Sequence, residues 1–252
     1  MCGIFCSISR NAHVLPEQQV LQLLQRRGPD STACSRLTFP VNAAHPLPSG
    51  EPPGNAYLAF TSTVLSLRGS RTISQPIQDA DESCLLCWNG EAWSIAGQST
   101  SGNDTEDIFS LLSRGTKESR STGSNALDAA ATVSKLMASV AGPYAFVFYD
   151  ARAGKLYLGR DFLGRRSLLW KTNDNGDFLI SSITSGTLSD SWTEIEADGI
   201  YCIELNGAPP SSNEPKDGLG NSSGFAVCKV PYQTSENVQP VDIASVGKSS
   251  SP

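Results

Sequence analysis

Short apolar runs separated by turn residues are the main pattern along this chain. The first run, GIFCSIS at 3–9, mixes apolar with small residues and predicts a strand that begins almost at the N-terminus. Later runs are bounded by turn sequences such as Ala153-Gly154 and Asp174-Asn175-Gly176, which is typical of antiparallel strands. Further strands are predicted at 57–60, 63–67, 84–88, 144–150, 155–159, 167–170, 178–183 and 200–205.

Three other stretches carry apolar residues at helical spacing. The first is 16–27, in which four apolar residues between 20 and 24 share one side and Gly28-Pro29 marks the end. The others are about 104–112 and about 125–140. Strands followed by helices and then by more strands predict an α+β layered domain.

Two segments are rich in Pro, Gly, Ser and Asn. Residues 39–55 contain five prolines and two glycines, which predicts a loop. Residues 206–252 hold too few large apolar side chains to offset the entropy of ordering them, so a linker and tail are expected there. One domain is therefore predicted over 2–205, and FAVCKVPY at 225–232 is a candidate for one more strand.

The charge of the chain narrows the class of partner. Its 252 residues carry a formal net charge of −6, without the surplus of Lys and Arg that phosphate binding requires. We therefore expect no nucleic-acid and no membrane partner, and small-molecule chemistry is favoured. Because the N-terminus lacks a secretory signal pattern and no apolar run approaches the roughly 20 residues of a membrane span, a cytoplasmic location is predicted.

The seven cysteines are an odd number and are expected to be free thiols in a reducing compartment. Cys84 and Cys87 have CxxC spacing, but they lie in the apolar stretch CLLCW with no second Cys or His pair at metal-site spacing. We interpret them as buried strand thiols, and no metal site is predicted.

The sequence Met1-Cys2-Gly3 permits a distinctive chemistry. Removal of Met1 would leave a thiol and a free α-amine on the same residue, Cys2. An α-amine has a pKa of about 7.7–8.0, so it can accept the thiol proton directly or through water. The only histidines are His13 and His45, beside the first strand and in the proline-rich loop, so a Cys–His pair is poorly supported. Cys2 is therefore the candidate nucleophile.

Five motifs occur in a fixed order along the chain: MCGIF at 1–5, QRRGPDS at 25–31, CWNGEAW at 87–93, GNDTED at 102–107 and GRDFLGRRSLLW at 159–170. Together they resemble the class II glutamine amidotransferase domain of asparagine synthetases. VLSLRG at 64–69 and the last motif favour the asparagine synthetase domain-containing proteins within that family.

This resemblance implies the four-layer αββα sandwich of the N-terminal nucleophile hydrolases, with Cys2 presented by the first strand. Cys2 would attack the side-chain amide of L-glutamine, form a thioester and release ammonia. The resemblance assigns the oxyanion donors to the side-chain amide of Asn89 and the backbone N–H of Gly90. Taken from the residues alone, Asn89-Gly90 also fits a hairpin turn.

The resemblance also implies how glutamine is held. Asp104 would pair with the α-ammonium group, and Glu91 would lie in the same pocket; Asp104 also suits a helix N-cap. Val64 stands where asparagine synthetases carry an Arg that clamps the carboxylate, which leaves two alternatives: Arg68 replaces that Arg, or glutamine affinity is weak or absent. The predicted substrate-binding residues are Val64, Leu65, Ser66, Leu67, Arg68, Asn89, Gly90, Glu91 and Asp104.

Two further charged motifs, at 27–30 and 159–166, are interpreted as structural, with direct catalysis as the less favoured alternative. Asp30, Arg160 and Asp161 are expected to form buried or semi-buried pairs and turns that support the first strand. Solvated surface charge is a further alternative for Arg165 and Arg166.

An ATP-using synthetase part is not evident in this sequence, since it has no Ser-Gly-Gly-x-Asp-Ser loop and no GxxxxGKS motif. The resemblance implies that residues 206–252 begin a missing synthetase-like domain, which would accept the ammonia for asparagine biosynthesis. No cofactor is expected in the amidotransferase domain itself. Two alternatives stay open: a non-catalytic glutamine-binding or regulatory module, and an N-terminal nucleophile hydrolase acting on another amide.

Overall fold

The computed structural model describes residues 1–41, 54–121, 126–186, 191–206 and 225–232, with residues 126–128 described by their backbone alone. Most of the predicted loop at 39–55, His45 and most of the predicted tail lie outside these residues. The helices are α1 (Gln18–Arg27), α2 (Asp104–Ser121) and α3 (Ala126–Ala138). The strands are β1 (Gly3–Ser9), β2 (Ser31–Pro40), β3 (Asn55–Val64), β4 (Ile77–Gln78), β5 (Cys84–Gly90), β6 (Ser94–Ile95), β7 (Gln98–Ser99), β8 (Val140–Ala141), β9 (Tyr144–Asp150), β10 (Lys155–Arg160), β11 (Leu169–Thr172), β12 (Phe178–Ser181), β13 (Thr193–Glu194), β14 (Gly199–Glu204) and β15 (Ala226–Pro231).

The N-terminal strand β1 lies inside the first six-stranded sheet, whose order is β13-β11-β12-β1-β3-β2. It pairs antiparallel with β3 on one side and with β12 on the other. All seven residues of β1 are buried. Because both faces of the strand are covered, its sequence is a continuous run of apolar and small residues rather than an alternating pattern.

The second six-stranded sheet has the order β15-β14-β10-β9-β5-β4. Strand β5 pairs with β9, which places Asn89 opposite Ala145 and Gly90 opposite Tyr144. Strand β15 pairs with β14, so the candidate strand at 225–232 is present and the folded chain continues past residue 205. A small third sheet has the order β7-β6-β8.

Three apolar clusters define four layers. The largest lies between the two sheets and includes Ile4, Cys6 and Ile8 of β1. A second cluster joins the outer face of the second sheet to α2 and α3. On the outer face of the first sheet, α1 packs through Val20 and Leu24 against Phe5. The predicted four-layer αββα sandwich is therefore confirmed.

Several predicted element bounds differ from the structure. Strand β2 was not predicted from the sequence. Its half-buried and exposed positions alternate, but most are small, polar or basic residues, so the two faces differ little in hydrophobicity. The two strands expected at 57–60 and 63–67 are one strand, β3, which ends at Val64. Helix α2 continues past the expected end near 112 to Ser121. No helix among the described residues has the length and apolar character needed to cross a membrane.

Candidate active site

A single cleft collects all ten predicted site residues at the start of β1. Its empty volume is about 480 Å³ when the open mouth is included. Segments from distant parts of the chain form its walls. The lining residues are Met1, Cys2, Val64, Leu65, Ser66, Leu67, Arg68, Ile73, Gln75, Trp88, Asn89, Gly90, Glu91, Asn103, Asp104, Thr105 and Arg166.

Cys2 lies just before β1, with its sulfur 3.9 Å from the backbone oxygen of Leu65. Burial raises the pKa of the thiol, so the neutral form dominates at neutral pH and a base is needed to generate the thiolate. Met1 is present in this structure and lies at the cleft mouth with 49 % of its surface exposed. Met1, whose removal would free the α-amine of Cys2, is therefore accessible from solvent.

The start of β1 is fixed tightly. The backbone N–H of Ile4 donates to Ser182 Oγ at 2.9 Å, and the Ser182 carbonyl accepts from Arg27 at 2.8 Å. A Cβ atom on Gly3 would lie 2.5 Å from Thr63 Oγ1, so only glycine allows β1 to approach β3 this closely. These contacts hold the residue before Gly3 at the edge of the cleft.

Neither histidine takes part in the described cleft. His13 follows β1 at the opposite end from Cys2 and bonds to the Leu37 carbonyl at 3.0 Å. A seven-residue strand spans roughly 20 Å, so His13 is too far away to act as a base for Cys2. His45 lies outside the described residues.

Asn89 and Gly90 are the last two residues of β5 and do not form the hairpin turn considered above. Asn89 is only 1 % exposed, and its Nδ2 has no hydrogen-bond partner among the described residues. A buried amide donor without an acceptor is costly and is normally satisfied. The Asn89 amide is therefore available to a bound molecule.

Gly90 is fixed by the turn that precedes β9. A Cβ atom on Gly90 would lie 2.7 Å from Tyr144 Cβ and 2.8 Å from the Pro143 oxygen. The next residue, Glu91, donates its backbone N–H to that same Pro143 oxygen at 2.9 Å. The close approach of these two segments requires glycine at position 90.

Asp104 is buried at the first residue of α2 and organises the loop after β5. Its Oδ2 accepts from Trp88 Nε1 at 3.0 Å and from the Ala92 backbone N–H at 2.8 Å. Burial raises the pKa of this carboxyl group. The residue that caps the N-terminus of α2 is Asn103, whose Oδ1 accepts from the Thr105 N–H at 3.0 Å. The side-chain cap expected from Asp104 is therefore supplied by Asn103.

The segment after β3 is fixed by Asp30. The Asp30 N–H donates to the Val64 carbonyl at 2.9 Å, and its Oδ2 accepts from the Ser66 N–H at 2.7 Å. Further along, Arg68 donates through Nη1 to the Ala92 carbonyl at 2.8 Å and to Thr100 Oγ1 at 3.1 Å. Asp30 thus has a structural role, but it is exposed and acts through backbone hydrogen bonds rather than as the expected buried pair. Arg68 joins its segment to the loop after β5.

The two adjacent arginines of the last motif have different surroundings. Arg165 pairs with Asp161 at 2.8 Å, outside the cleft lining. Arg166 lines the cleft, 3.9 Å from Glu91, and its carbonyl accepts from Arg160 Nε at 2.7 Å. The alternative of solvated surface charge does not fit Arg166, because its side chain is only 19 % exposed and the turn at 161–166 directs it toward the cleft. The sequence gives no periodic signal for this direction.

The fold and this cleft define a class II glutamine amidotransferase domain. The chain belongs to the glutamine amidotransferase domain family, whose model matches residues 62–188. That range includes Asn89, Gly90 and Asp104, while Cys2 precedes it.

Among known proteins, the chain is similar to asparagine synthetase domain-containing protein 1. It is 36 % identical to the Mus musculus protein over 217 residues, covering 84 % of this chain and 30 % of that protein. Identity with the Homo sapiens protein is 34 % over 212 residues, covering 81 % of this chain and 28 % of that protein. The chain therefore spans less than a third of the length of these relatives.

A solved structure, that of the allosteric regulatory enzyme of purine biosynthesis, has a TM-score of 0.50 and 16 % identity with this chain. The match covers 90 % of this chain and 48 % of that one. At this identity the likeness concerns the fold alone.

Proposed function

We propose that this domain hydrolyses the side-chain amide of L-glutamine to glutamate and ammonia, with Cys2 as the nucleophile after Met1 is removed. The observation that carries the proposal is the presence of the Cys2 thiol and the unpartnered Asn89 amide in one cleft. Nucleophile and oxyanion donor are the two groups that acyl transfer requires close together.

In the first half-reaction the new α-amine of Cys2 accepts the thiol proton. The sulfur then attacks the amide carbon, and the carbon–nitrogen bond breaks as the proton passes to the departing ammonia. The pKa of the present Met1 amine is lowered, mainly by burial and in part by Arg27 and Arg166. Similar surroundings would lower the pKa of an amine on Cys2, so that more of it is unprotonated near neutral pH and able to accept the thiol proton.

In the second half-reaction water attacks the glutamyl thioester, giving glutamate and the free thiol. Both steps pass through a tetrahedral oxyanion, which Asn89 Nδ2 and the Gly90 N–H would stabilise. Asp104 and Glu91 supply the negative charge for the substrate α-ammonium group. We propose that no cofactor takes part.

The test combines intact mass with kinetics. We expect the protein recovered from cells to lack Met1, and Cys2→Ala to abolish glutaminase turnover, while Cys34→Ala, an exposed thiol on β2, retains it. A glutamine-analogue diazoketone is expected to label Cys2 alone. Equal background turnover in wild type and Cys2→Ala, or labelling elsewhere, would contradict the enzymatic role.

The whole protein's role is a wider proposal. Since the chain spans about 30 % of its curated relatives, we propose that an ammonia-accepting synthetase-type domain, on a longer chain or on a partner, completes the reaction. Asparagine biosynthesis in the cytoplasm is the proposed setting. Production of asparagine from glutamine, aspartate and ATP by the full-length protein would test it.

A second candidate is a non-catalytic glutamine-binding or regulatory module. Val64 in the cleft favours a loss of catalysis, because an aliphatic side chain cannot hold the substrate carboxylate and so fix the amide beside Cys2. Arg68 is already bonded to Ala92 and Thr100. Glutamine binding to an inactive wild-type protein would support this module and reject the enzyme.

A further inference from the structure

The charged groups of the cleft raise the question of what binds the α-carboxylate of glutamine. Two carboxylates, Glu91 and Asp104, and two guanidinium groups, Arg68 and Arg166, line it. Arg68 uses Nη1 for two bonds within the protein, at 2.8 and 3.1 Å. Those bonds hold Arg68 against the loop after β5.

Arg166 is bound much more loosely. Its contact with Glu91 is 3.9 Å, at the outer limit of an ion pair. Its Nε is buried and has no hydrogen-bond partner among the described residues, although the side chain as a whole is 19 % exposed. A guanidinium group with an unpartnered Nε can offer two parallel N–H donors, the arrangement that carboxylates bind best.

The backbone around Arg166 is nevertheless fixed. Its carbonyl accepts from Arg160 Nε at 2.7 Å, and Arg160 Nη1 also donates to the Ile195 carbonyl at 2.9 Å. The Asp161 carboxylate accepts hydrogen bonds from Arg165 Nε and from the Tyr144 backbone N–H. The second of these bonds joins the turn to β9. The turn is therefore held while the end of the Arg166 side chain is left available.

We propose that Arg166 binds the α-carboxylate of the substrate, while Glu91 beside it faces the α-ammonium group. This inference rests on the proposed function. The two charges of an amino acid are attached to one carbon atom, so a receiving site needs a cation and an anion side by side. Arg166 and Glu91 provide that pair, and Arg166 fills the role that Val64 leaves empty.

The test compares two substrates that differ only in the carboxylate: L-glutamine and its α-carboxamide, L-glutaminamide. For Arg166→Gln we expect the KM for glutamine to rise roughly 10- to 100-fold, the range for a lost hydrogen bond to a charged group. Turnover of glutaminamide should stay within about threefold of wild type. Arg166→Lys should recover part of the lost affinity.

Arg71→Gln is the matched control, because it removes an exposed ion pair with Glu106 and Arg71 does not line the cleft. Equal KM changes for Arg71→Gln and Arg166→Gln, or equal losses on both substrates, would overturn the assignment.

Binding measurements separate this inference from the reaction itself. Calorimetry of glutamine with Cys2→Ala, alone and combined with Arg166→Gln, needs no turnover. If wild type shows no glutaminase activity but Arg166→Gln still removes glutamine binding, the hydrolysis proposal fails and the Arg166 assignment stands. If Arg166→Gln leaves glutamine binding intact, the assignment fails whatever the activity.

Discussion

Asn89 and Asp104 are buried polar residues of the cleft, and each costs stability for a different reason. Asn89 leaves one amide nitrogen without a partner among the described residues, whereas Asp104 places a carboxylate in an environment that disfavours its charge. Such costs are common where a binding group is held ready for a ligand. Replacement of either residue should therefore impair function without lowering the stability of the fold.

Asn89→Ala is expected to lower kcat for glutamine by about 100- to 1000-fold, because one oxyanion donor is lost. The melting temperature should stay constant or rise, since a buried unsatisfied amide disappears. Steady-state kinetics and thermal unfolding measure the two effects. A strong loss of stability together with activity would show that the amide is mainly structural.

Asp104→Asn should stabilise the protein in a pH-dependent way. Burial raises the pKa of Asp104 in the folded state, so the folded chain keeps a proton that the unfolded chain has already released. The free energy of unfolding of the wild type therefore falls as pH rises through the pKa of Asp104 in the folded state. The asparagine variant has no carboxyl group at this position, so this decrease is absent from it. The variant should melt higher at pH 7, and its advantage should vanish near pH 4.

The control for this effect is Asp107→Asn, an exposed residue in the first turn of α2 that also removes a negative charge near the helix N-terminus. The same advantage at pH 7 in both variants would contradict the explanation from burial.

At the scale of elements, the cleft depends on α1, β1 and β3 meeting closely. Thr63 Oγ1 of β3 donates to the Leu24 carbonyl of α1 at 2.7 Å, and Gly28 donates its N–H to that same carbonyl at 3.1 Å. The helix end is thereby joined to the end of β3, from which Val64 enters the cleft. Residues 27–30 of the RGPD motif therefore pack the end of α1 against β3, beside the candidate nucleophile.

Gly28→Ala should destabilise the domain, since its Cβ would lie 2.4 Å from the Thr63 backbone carbonyl carbon. The expected loss is about 1–3 kcal/mol, typical of overpacking. Gly54→Ala is the matched control, because its Cβ would meet nothing within 4 Å. Chemical denaturation measures both variants, and equal stabilities would show that the helix moves aside without cost.

At the scale of the whole molecule, β15 shows that the folded domain uses residues beyond 205. The boundary near residue 205 stays a prediction, but Phe225 just before β15 is fully buried in the cluster between the two sheets. The second sheet therefore includes a strand that follows a long connection in the sequence. The apolar run at 225–232 marks this segment as a candidate strand, but only its pairing with β14 shows that it belongs to the second sheet.

Phe225→Ala is expected to lower the free energy of unfolding by about 3–5 kcal/mol, as for other large-to-small core changes. Phe162→Ala is the control, since Phe162 is 71 % exposed. Unfolding curves would show the difference. If both variants keep wild-type stability, β15 is dispensable to the domain.

The sequence by itself determined the main strands, the three helices and the candidate site residues other than Arg166. Strand and helix patterns are local, so periodicity and turn residues expose them. The ordered motifs supplied the rest, because Cys2, Asn89 and Asp104 were assigned through resemblance and not through spacing. Strand β2 escaped because it lacks apolar contrast.

Only the tertiary structure decided which side chains share the cleft and how they are bonded. Residues 2, 64–68, 89–91, 104 and 166 are far apart in the chain and meet through strand register and the turn after β10. The unpartnered Asn89 nitrogen, the cap by Asn103 and the inward direction of Arg166 are likewise properties of packing. Each depends on contacts between distant segments, which no local pattern of residues encodes.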